Sequence, residues 1–582
     1  MDSGRGAKRR RLSDESDVLR NASISPPPKR FASALKQHAG GSTSEFQDIR
    51  MGEGLEMLPD SVINVPSTRS IASPVQLNFI EELPAASNVD TVSLGSILGD
   101  PMIKECWLFN YLFDMDFVMD HFDPDTRDLI QVRIVHGSWK REDTNGIGIE
   151  NAAKRYPNVE IIKAYMPEMY GTHHSKMIVL FRHDDLAQVI LLTANFIERD
   201  WRMSQAIWKT PLLPLQKKGA FPTTSLLPLG SGPRFKNDLL AYYRGYGSKK
   251  LQNLILQLQD YDFGEVRGAL IASLPGKKTV QSPDPELDTL WGWPGLKRIL
   301  SRIPSKTVTP SDPNHQSHIV IQVSSVAAVG EKWLNKTFIP TLSTISDAGV
   351  SQKDTKKPKN SIVFPTTDEI RRSVDGYGSG SSIHMKVSTP AQTKQLALLK
   401  PMLCHWAGDQ RPSVNPASTP RASRSSNPAV AAPIHKAHRH RAAPHIKTYI
   451  RFSDLSMNTI DWAIMTSANL STQAWGAAAN TDGEVRICSY EIGVVVWPSL
   501  WDDDVDDDDG SGAGEKGKAV IVPVFGKDMP GEDESSGKTV VGWRLPYDLP
   551  LVPYREDEKP WCASEPCNEP DWMGRVWPGY GK

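Results

Sequence analysis

The feature that most constrains this chain is a tripeptide used twice with the same sequel. His174-Ser175-Lys176 is followed by two apolar runs, Met177–Phe181 and Gln188–Thr193, and the second leads into Asn195. His445-Ile446-Lys447 leads through Ile446–Phe452 and Trp462–Thr466 into Asn469. The spacing from Lys to Asn is 195 − 176 = 19 in one copy and 469 − 447 = 22 in the other. Short, β-branched apolar runs of this kind read as buried strands. Side chains alternate faces along a strand, so His and Lys two positions apart point the same way. With the next strand as neighbour, its terminal Asn falls at the same sheet edge. Each copy therefore presents an imidazole, an ammonium and an amide to one spot. Two copies about 270 residues apart predict an internal duplication, with the site on a pseudo-two-fold axis between the halves. A third match, His384-Met385-Lys386, has no such sequel and reads as a surface coincidence. Roughly one chance match is expected at this composition.

Further strands are predicted at Leu129–Val135, Val159–Ala164, His318–Val323 and Tyr490–Val496, and Leu251, Leu254, Ile255 and Leu258 fall on one helical face. Strands and helices mixed in both halves predict an α/β fold made of two similar α-β-α sandwich halves. The expected division is a disordered basic arm at 1–85, a first half at 86–310 and a second half at 311–582. The arm carries Lys8-Arg9-Arg10-Arg11 and Pro28-Lys29-Arg30, read as a nuclear import signal. Flexible insertions are expected near 411–441, with six Lys/Arg and no Asp or Glu, and near 502–517. Asp502–Asp509 holds seven Asp in eight residues and reads as a solvated run, since a Ca²⁺ loop needs its carboxylates on rigid geometry. Residues 352–360 read as a short Lys-rich loop.

Composition narrows the function. The 67 Lys+Arg against 68 Asp+Glu exclude a uniformly basic nucleic-acid wrapper but leave room for a local basic groove. The five cysteines form no CxxC pair, which argues against a disulfide framework and a Cys-rich zinc site. The absence of an apolar run of 18 residues or a secretory h-region predicts an intracellular protein without a spanning helix.

Two imidazoles, two ammonium groups and two amides suit phosphoryl transfer without a metal or other cofactor. The cations and amides can hold and neutralise the non-bridging oxygens of a phosphodiester as charge develops. One neutral His can attack phosphorus. The other can protonate the leaving oxygen and later deprotonate water. A metal centre is the rival reading, but lysine is a poor neighbour for a cation and neither half-motif contains a carboxylate. The residues alone leave open which His attacks.

The paired motifs resemble the phospholipase D superfamily. There an Asp usually follows the Lys by a few residues; here Lys176 is followed by MIVLF and Lys447 by TYIRF. That absence, with Gly171–Met177 (GTHHSKM), Pro444–Tyr449 (PHIKTY), Ser467–Ser471 (SANLS) and Ser489–Gly493 (SYEIG), is similar to the tyrosyl-DNA phosphodiesterases, in their fungal type, over about residues 95–580. The resemblance implies a DNA-repair enzyme. It would hydrolyse the bond between a DNA 3′-phosphate and the tyrosine of a stalled topoisomerase I, or other 3′ adducts, through a phosphohistidine, leaving a 3′-phosphate. It implies His174 as nucleophile and His445 as acid and then base. Lys176, Lys447, Asn195 and Asn469 would grip the phosphate. Gln205 and Glu491 would orient the imidazoles, with a crossover that puts Glu491 behind His174. A neutral amide behind His445 would leave its acidity intact. Tyr111, Tyr170, Ser324, Ser325 and Ser471 would line the DNA path. Apart from the resemblance, His173 falls on the opposite strand face from its neighbour His174 and reads as a packing residue. The implied partner is adducted DNA, met by a nuclear monomer that binds no membrane. The alternative is a lipid-acting phospholipase D-type enzyme.

Overall fold

The computed structural model describes residues 69–580, apart from 141, 218–226, 283, 285–287, 305–315, 328, 347–355, 408–432, 503–517 and 532–538. After β1 (Ser70–Ile71), seven strands build one sheet: β2 (Val75–Leu77), β3 (Ile103–Phe109), β4 (Gln131–His136), β5 (Val159–Lys163), β6 (Met177–Arg182), β7 (Ala187–Leu192) and β8 (Ala206–Lys209). Their order is β2-β8-β7-β6-β3-β4-β5. The second sheet takes β9 (Ala269–Ser273), β11 (His318–Gln322), β13 (Lys359–Val363), β14 (Leu403–Cys404), β15 (Thr448–Phe452), β16 (Ile460–Thr466), β19 (Glu491–Val496), β20 (Val520–Val524) and β21 (Val540–Arg544). It runs β1-β21-β20-β16-β15-β11-β13-β14, with β19 joining β16 to β9. Two small ribbons pair β10 (Gly276–Thr279) with β18 (Glu484–Ile487), and β12 (Val326–Ala327) with β17 (Leu470–Ser471).

Six strands of each sheet repeat one pattern. In the first, β3, β4 and β5 are parallel, and β3, β6, β7 and β8 are successively antiparallel. In the second, β11, β13 and β14 are parallel, and β11, β15, β16 and β19 are successively antiparallel. The strands that follow the two His-x-Lys tripeptides, β6 and β15, therefore hold the same place, as do their Asn-terminated partners β7 and β16.

One continuous apolar cluster draws on both sheets and on the helices Gly232–Arg244 and Gln252–Gln259. It includes Phe109 and Val179 from the first sheet, Val320 and Ile450 from the second, and Phe235, Leu254 and Leu258 from the helices. Leu254, Ile255 and Leu258 occupy the buried helical face predicted for them. Burying each such side chain contributes roughly 1.5–3 kcal/mol.

Three boundaries differ from expectation. Order begins well before 85: Val75, Leu77 and Ile80 are each 1 % exposed, β2 pairs with β8, and β1 pairs with β21. The halves do not divide at 310, because β9 pairs with β19 in the second sheet. The end of the 411–441 segment is folded, with Ala437 and Arg439 buried and His435 bridged to Leu549. In each case the deciding contact is with a part of the chain far away in sequence. Residues Lys8–Arg11, Pro28–Arg30, 411–432 and 503–509 lie outside the described residues.

Candidate active site

The two His-x-Lys tripeptides lie just ahead of β6 and β15, and each is tied to its Asn-bearing strand by one backbone bond. The N–H of Leu192 donates to Lys176 O at 3.1 Å, and the N–H of Thr466 donates to Lys447 O at 3.2 Å. Each ammonium then turns back on its own turn: Lys176 Nζ donates to His174 O at 3.1 Å, and Lys447 Nζ donates to His445 O. Both lysines are fully buried.

Each histidine is stapled to the opposite half. The N–H of His174 donates to Tyr490 O, and the N–H of His445 donates to Ser204 O, both at 3.1 Å. The next residue after each acceptor reaches the histidine ring. Glu491 Oε2 and Oε1 lie 2.9 and 3.1 Å from His174 Nδ1. The Gln205 amide lies 3.2–3.3 Å from His445 Nδ1. Each of these two side chains is pinned by a hydroxyl from the Asn-bearing strand end: Thr193 Oγ1 donates to Gln205 Oε1 at 2.8 Å, and Ser467 Oγ donates to Glu491 Oε2 at 2.5 Å. A carboxylate that accepts from Nδ1 fixes that proton there and leaves Nε2 of His174 with its lone pair. Gly171 permits the close pass of the two halves, since a Cβ there would stand 2.1 Å from Cys488 O.

The two asparagines are held differently. Asn469 Oδ1 accepts from the N–H groups of Ser324 and Ser325, at 3.1 and 2.9 Å. Its amide N–H₂ is thereby aimed away from those donors. Asn195 Nδ2 donates to Asp200 Oδ2 at 2.7 Å, and Asn195 N–H donates to the same oxygen at 2.9 Å.

Burial and like charge set the electrostatics. Burial depresses the His174 pKa, with Glu491 opposing the shift. Burial pushes His445 well below the usual imidazole range, and Lys447, Lys176, His174 and His384 add repulsion. Lys176 is brought down to about 8 by burial, with Glu491 and Asp200 opposing. Lys447 is lowered further by burial and by Lys176. An anion bound among these groups would raise the proton affinity of each of them.

Two residues in this environment were not anticipated as part of it. Asp200 is fully buried, with Oδ2 3.3 Å from His445 Nδ1. The surround of His445 therefore contains a carboxylate as well as the expected neutral amide. Nothing in the local sequence marks Asp200, which sits in a run of ordinary helix-forming residues. His384 is the second. The expectation of a surface match is wrong: its ring is half-buried and feels the charges of Lys447, Asp200 and His174. Its backbone pairs with Ser325. It arrives from a segment with no strand pair of its own, so spacing could not reveal it.

The remaining predicted residues take varied positions. Tyr170 is 66 % exposed with φ +63°, a left-handed conformation unusual for a bulky residue, and its ring lies 5.1 Å from that of Trp139. Tyr111 is half-buried, its hydroxyl donating to Asp143 at 3.3 Å. Ser324 is buried. Ser471 is already engaged: its N–H donates to Asn469 O at 2.9 Å, and its Oγ accepts from Ala474 N–H at 3.1 Å. Only its hydroxyl proton remains for a ligand. His173 is fully buried, with Nε2 2.8 Å from the Tyr246 hydroxyl. Among the described residues, no three His, Cys, Asp or Glu side chains gather as a metal ion would need.

This arrangement has known relatives. The family model described as tyrosyl-DNA phosphodiesterase matches residues 74–555. A Schizosaccharomyces pombe protein named "Probable tyrosyl-DNA phosphodiesterase" is 30% identical over 573 residues, spanning 88% of this chain and 97% of that protein. Tyrosyl-DNA phosphodiesterase 1 of Arabidopsis thaliana is 27% identical over 552 residues, spanning 88% of this chain and 78% of that protein. The crystal structure of the yeast tyrosyl-DNA phosphodiesterase shares the fold, with a TM-score of 0.54 at 19% identity over 85% of this chain and 100% of that one. A match across both sheets and both His-x-Lys tripeptides, with a relative aligned over nearly its full length, makes this chain a phosphodiester hydrolase of the tyrosyl-DNA phosphodiesterase family.

Proposed function

We propose that this chain releases tyrosine-linked adducts from DNA 3′ ends by two in-line displacements at one phosphorus. The observation that carries this reading is the crossed pair of orienting contacts, Glu491 on His174 and Gln205 on His445. His174 Nε2 attacks phosphorus and forms a P–N bond as the P–O bond to tyrosine breaks. His445 Nε2–H gives its proton to the departing phenolate. A water then attacks phosphorus from the vacated side and passes a proton to His445. The P–N bond breaks, its electrons return to His174, and a DNA 3′-phosphate leaves. Glu491 stabilises the positive charge that His174 gains while phosphorylated. The phosphodiester anion raises the proton affinity of His445 and so arms it as an acid. A phenol with pKa about 10 leaves more readily than an alkanol, so one acid suffices. Lys176, Lys447 and the two Asn amides neutralise the phosphoryl oxygens.

Tyr111, Tyr170, Ser324, Ser325 and the Ser471 hydroxyl border the DNA strand in this reading. The basic run Lys8–Arg11 supports action in the nucleus. The test is purified protein in excess EDTA with a 3′-phosphotyrosyl oligonucleotide and, separately, a phospholipid. Release of tyrosine and a 3′-phosphate from the first alone supports the proposal. A strict Mg²⁺ requirement, or cleavage of the lipid alone, overturns it.

A further inference from the structure

The chain continues past residue 555, where the family match ends, and past the last sheet strand at Arg544. Among the described residues the tail contributes isolated bridges but no strand to either sheet, yet it is firmly anchored. Trp561 is fully buried, its N–H donating to Pro365 O and its Nε1 to Gly380 O and Ile383 O. The N–H of Ala563 donates to Met385 O at 3.0 Å. Burial of an indole with its N–H satisfied is a strong anchor. The tail is thus clamped along 380–385, the segment that brings His384 to the site. That segment is itself tied to the phosphate-facing amide: His384 N–H donates to Ser324 O at 2.8 Å, and the N–H groups of Ser324 and Ser325 hold Asn469.

The anchor delivers Tyr580. Its N–H donates to Ala563 O at 2.8 Å and its hydroxyl to Ser381 O at 2.7 Å, so the ring is held at both ends. It lies nearly parallel to the His384 ring, with centroids 5.9 Å apart and planes at 15°. Trp577 supports it edge-on at 5.1 Å. Tyr580 is nevertheless 40 % exposed. Cations serve both rings: Arg199 donates to the Ser381 hydroxyl and its charge reaches Tyr580, and the charge of the exposed Lys386 reaches His384. A rigid aromatic face beside positive charge, at the edge of a phosphate-binding cluster, has the chemistry of a nucleotide rather than of a peptide: the face takes a base and the cations its phosphates.

We infer that Tyr580 and His384 form a stacking subsite for one base of the DNA strand whose 3′-phosphate occupies the site. The inference rests on the DNA phosphodiesterase reading above and adds to it a base-binding role for the tail. The experiment uses the full chain and 3′-phosphotyrosyl oligonucleotides carrying an abasic residue at each of the last four positions in turn. Wild type should show a rise in KM of about tenfold when one of these bases is missing. Tyr580→Ala should abolish that penalty, while Tyr580→Trp and Tyr580→Phe keep it. Equal penalties in wild type and Tyr580→Ala at every position would overturn the inference. So would a Tyr580→Ala defect that follows the length of the peptide on the tyrosine instead of the bases. A melting transition matching wild type confirms that Tyr580→Ala is folded; if it is not, Tyr580→Leu serves, with the same expected loss of coupling. Failure of wild type to release tyrosine from any of these oligonucleotides would instead sink the functional reading itself.

Discussion

Glu491 stands 2.9 Å from Nδ1 of His174, a residue 317 positions away, while the sequence-matched place behind His445 holds the amide of Gln205. The two half-sites are alike in backbone contacts and differ in how the carboxylate is placed: among the described residues Glu491 alone faces Nδ1 of His174, whereas Nδ1 of His445 is shared between the Gln205 amide and Asp200 Oδ2 at 3.3 Å. In the proposed mechanism that difference in placement separates the imidazole that would carry the phosphoryl group from the one that would exchange protons.

Replacing Glu491 with Gln keeps a hydrogen-bond acceptor behind His174 but removes the charge that offsets its phosphorylation. We expect kcat to fall about 10²-fold with little change in KM. Steady-state kinetics on a 3′-phosphotyrosyl oligonucleotide checks this; an unchanged kcat would mean that the carboxylate only positions the ring.

His445→Asn should leave attack possible but slow hydrolysis of the intermediate, because the second step needs a base for water. A covalent DNA–protein species should accumulate on denaturing gels and map to the His174 peptide. The double variant His174→Ala, His445→Asn should form none.

Lys176, brought down to about 8 by burial, gives a pH signature. Below that value it is charged and holds an anion; above it the charge is lost. Inhibition by sulfate, whose own charge is constant here, should weaken as pH rises through about 8. Lys176→Arg should remove the step, because a guanidinium stays protonated. An inhibition constant flat from pH 7 to 9 in wild type would contradict the assignment.

Acid should destabilise the fold through neutral buried histidines. Burial lowers His173 to about 3 and His318 and His384 each to about 4. The unfolded chain takes up their protons near 6.5, the folded chain only near those lower values. Their contribution is therefore complete above pH 6.5 and is lost as pH falls toward 4, at up to about 1.4 kcal/mol per pH unit for each. Thermal melts between pH 7 and 4 test this, and His318→Gln should flatten the slope.

Much of this architecture was legible in the sequence because it rests on short-range rules. Apolar runs marked β6, β7, β15 and β16, and the repeated spacing paired them. The family resemblance supplied Gln205 and Glu491. What escaped notice depends on long-range packing. Asp200 meets His445 only because β7 turns through Asn195 toward Gln205, and His384 reaches the site only because its backbone pairs with Ser325. Neither contact has a local signature. The strands Ser70–Ile71 and Val75–Leu77 were lost in a polar arm for the same reason: their partners, β21 and β8, lie far along the chain.

The central claim is that both imidazoles serve one phosphorus. A crystal structure with orthovanadate, a five-coordinate phosphoryl mimic, tests it most directly. The account predicts a single vanadium bonded to His174 Nε2, with His445 Nε2 at hydrogen-bond distance from the opposite apical oxygen and Lys176, Lys447 and Asn469 on the equatorial oxygens. Vanadate bound to one histidine with the other facing a separate cleft would contradict it.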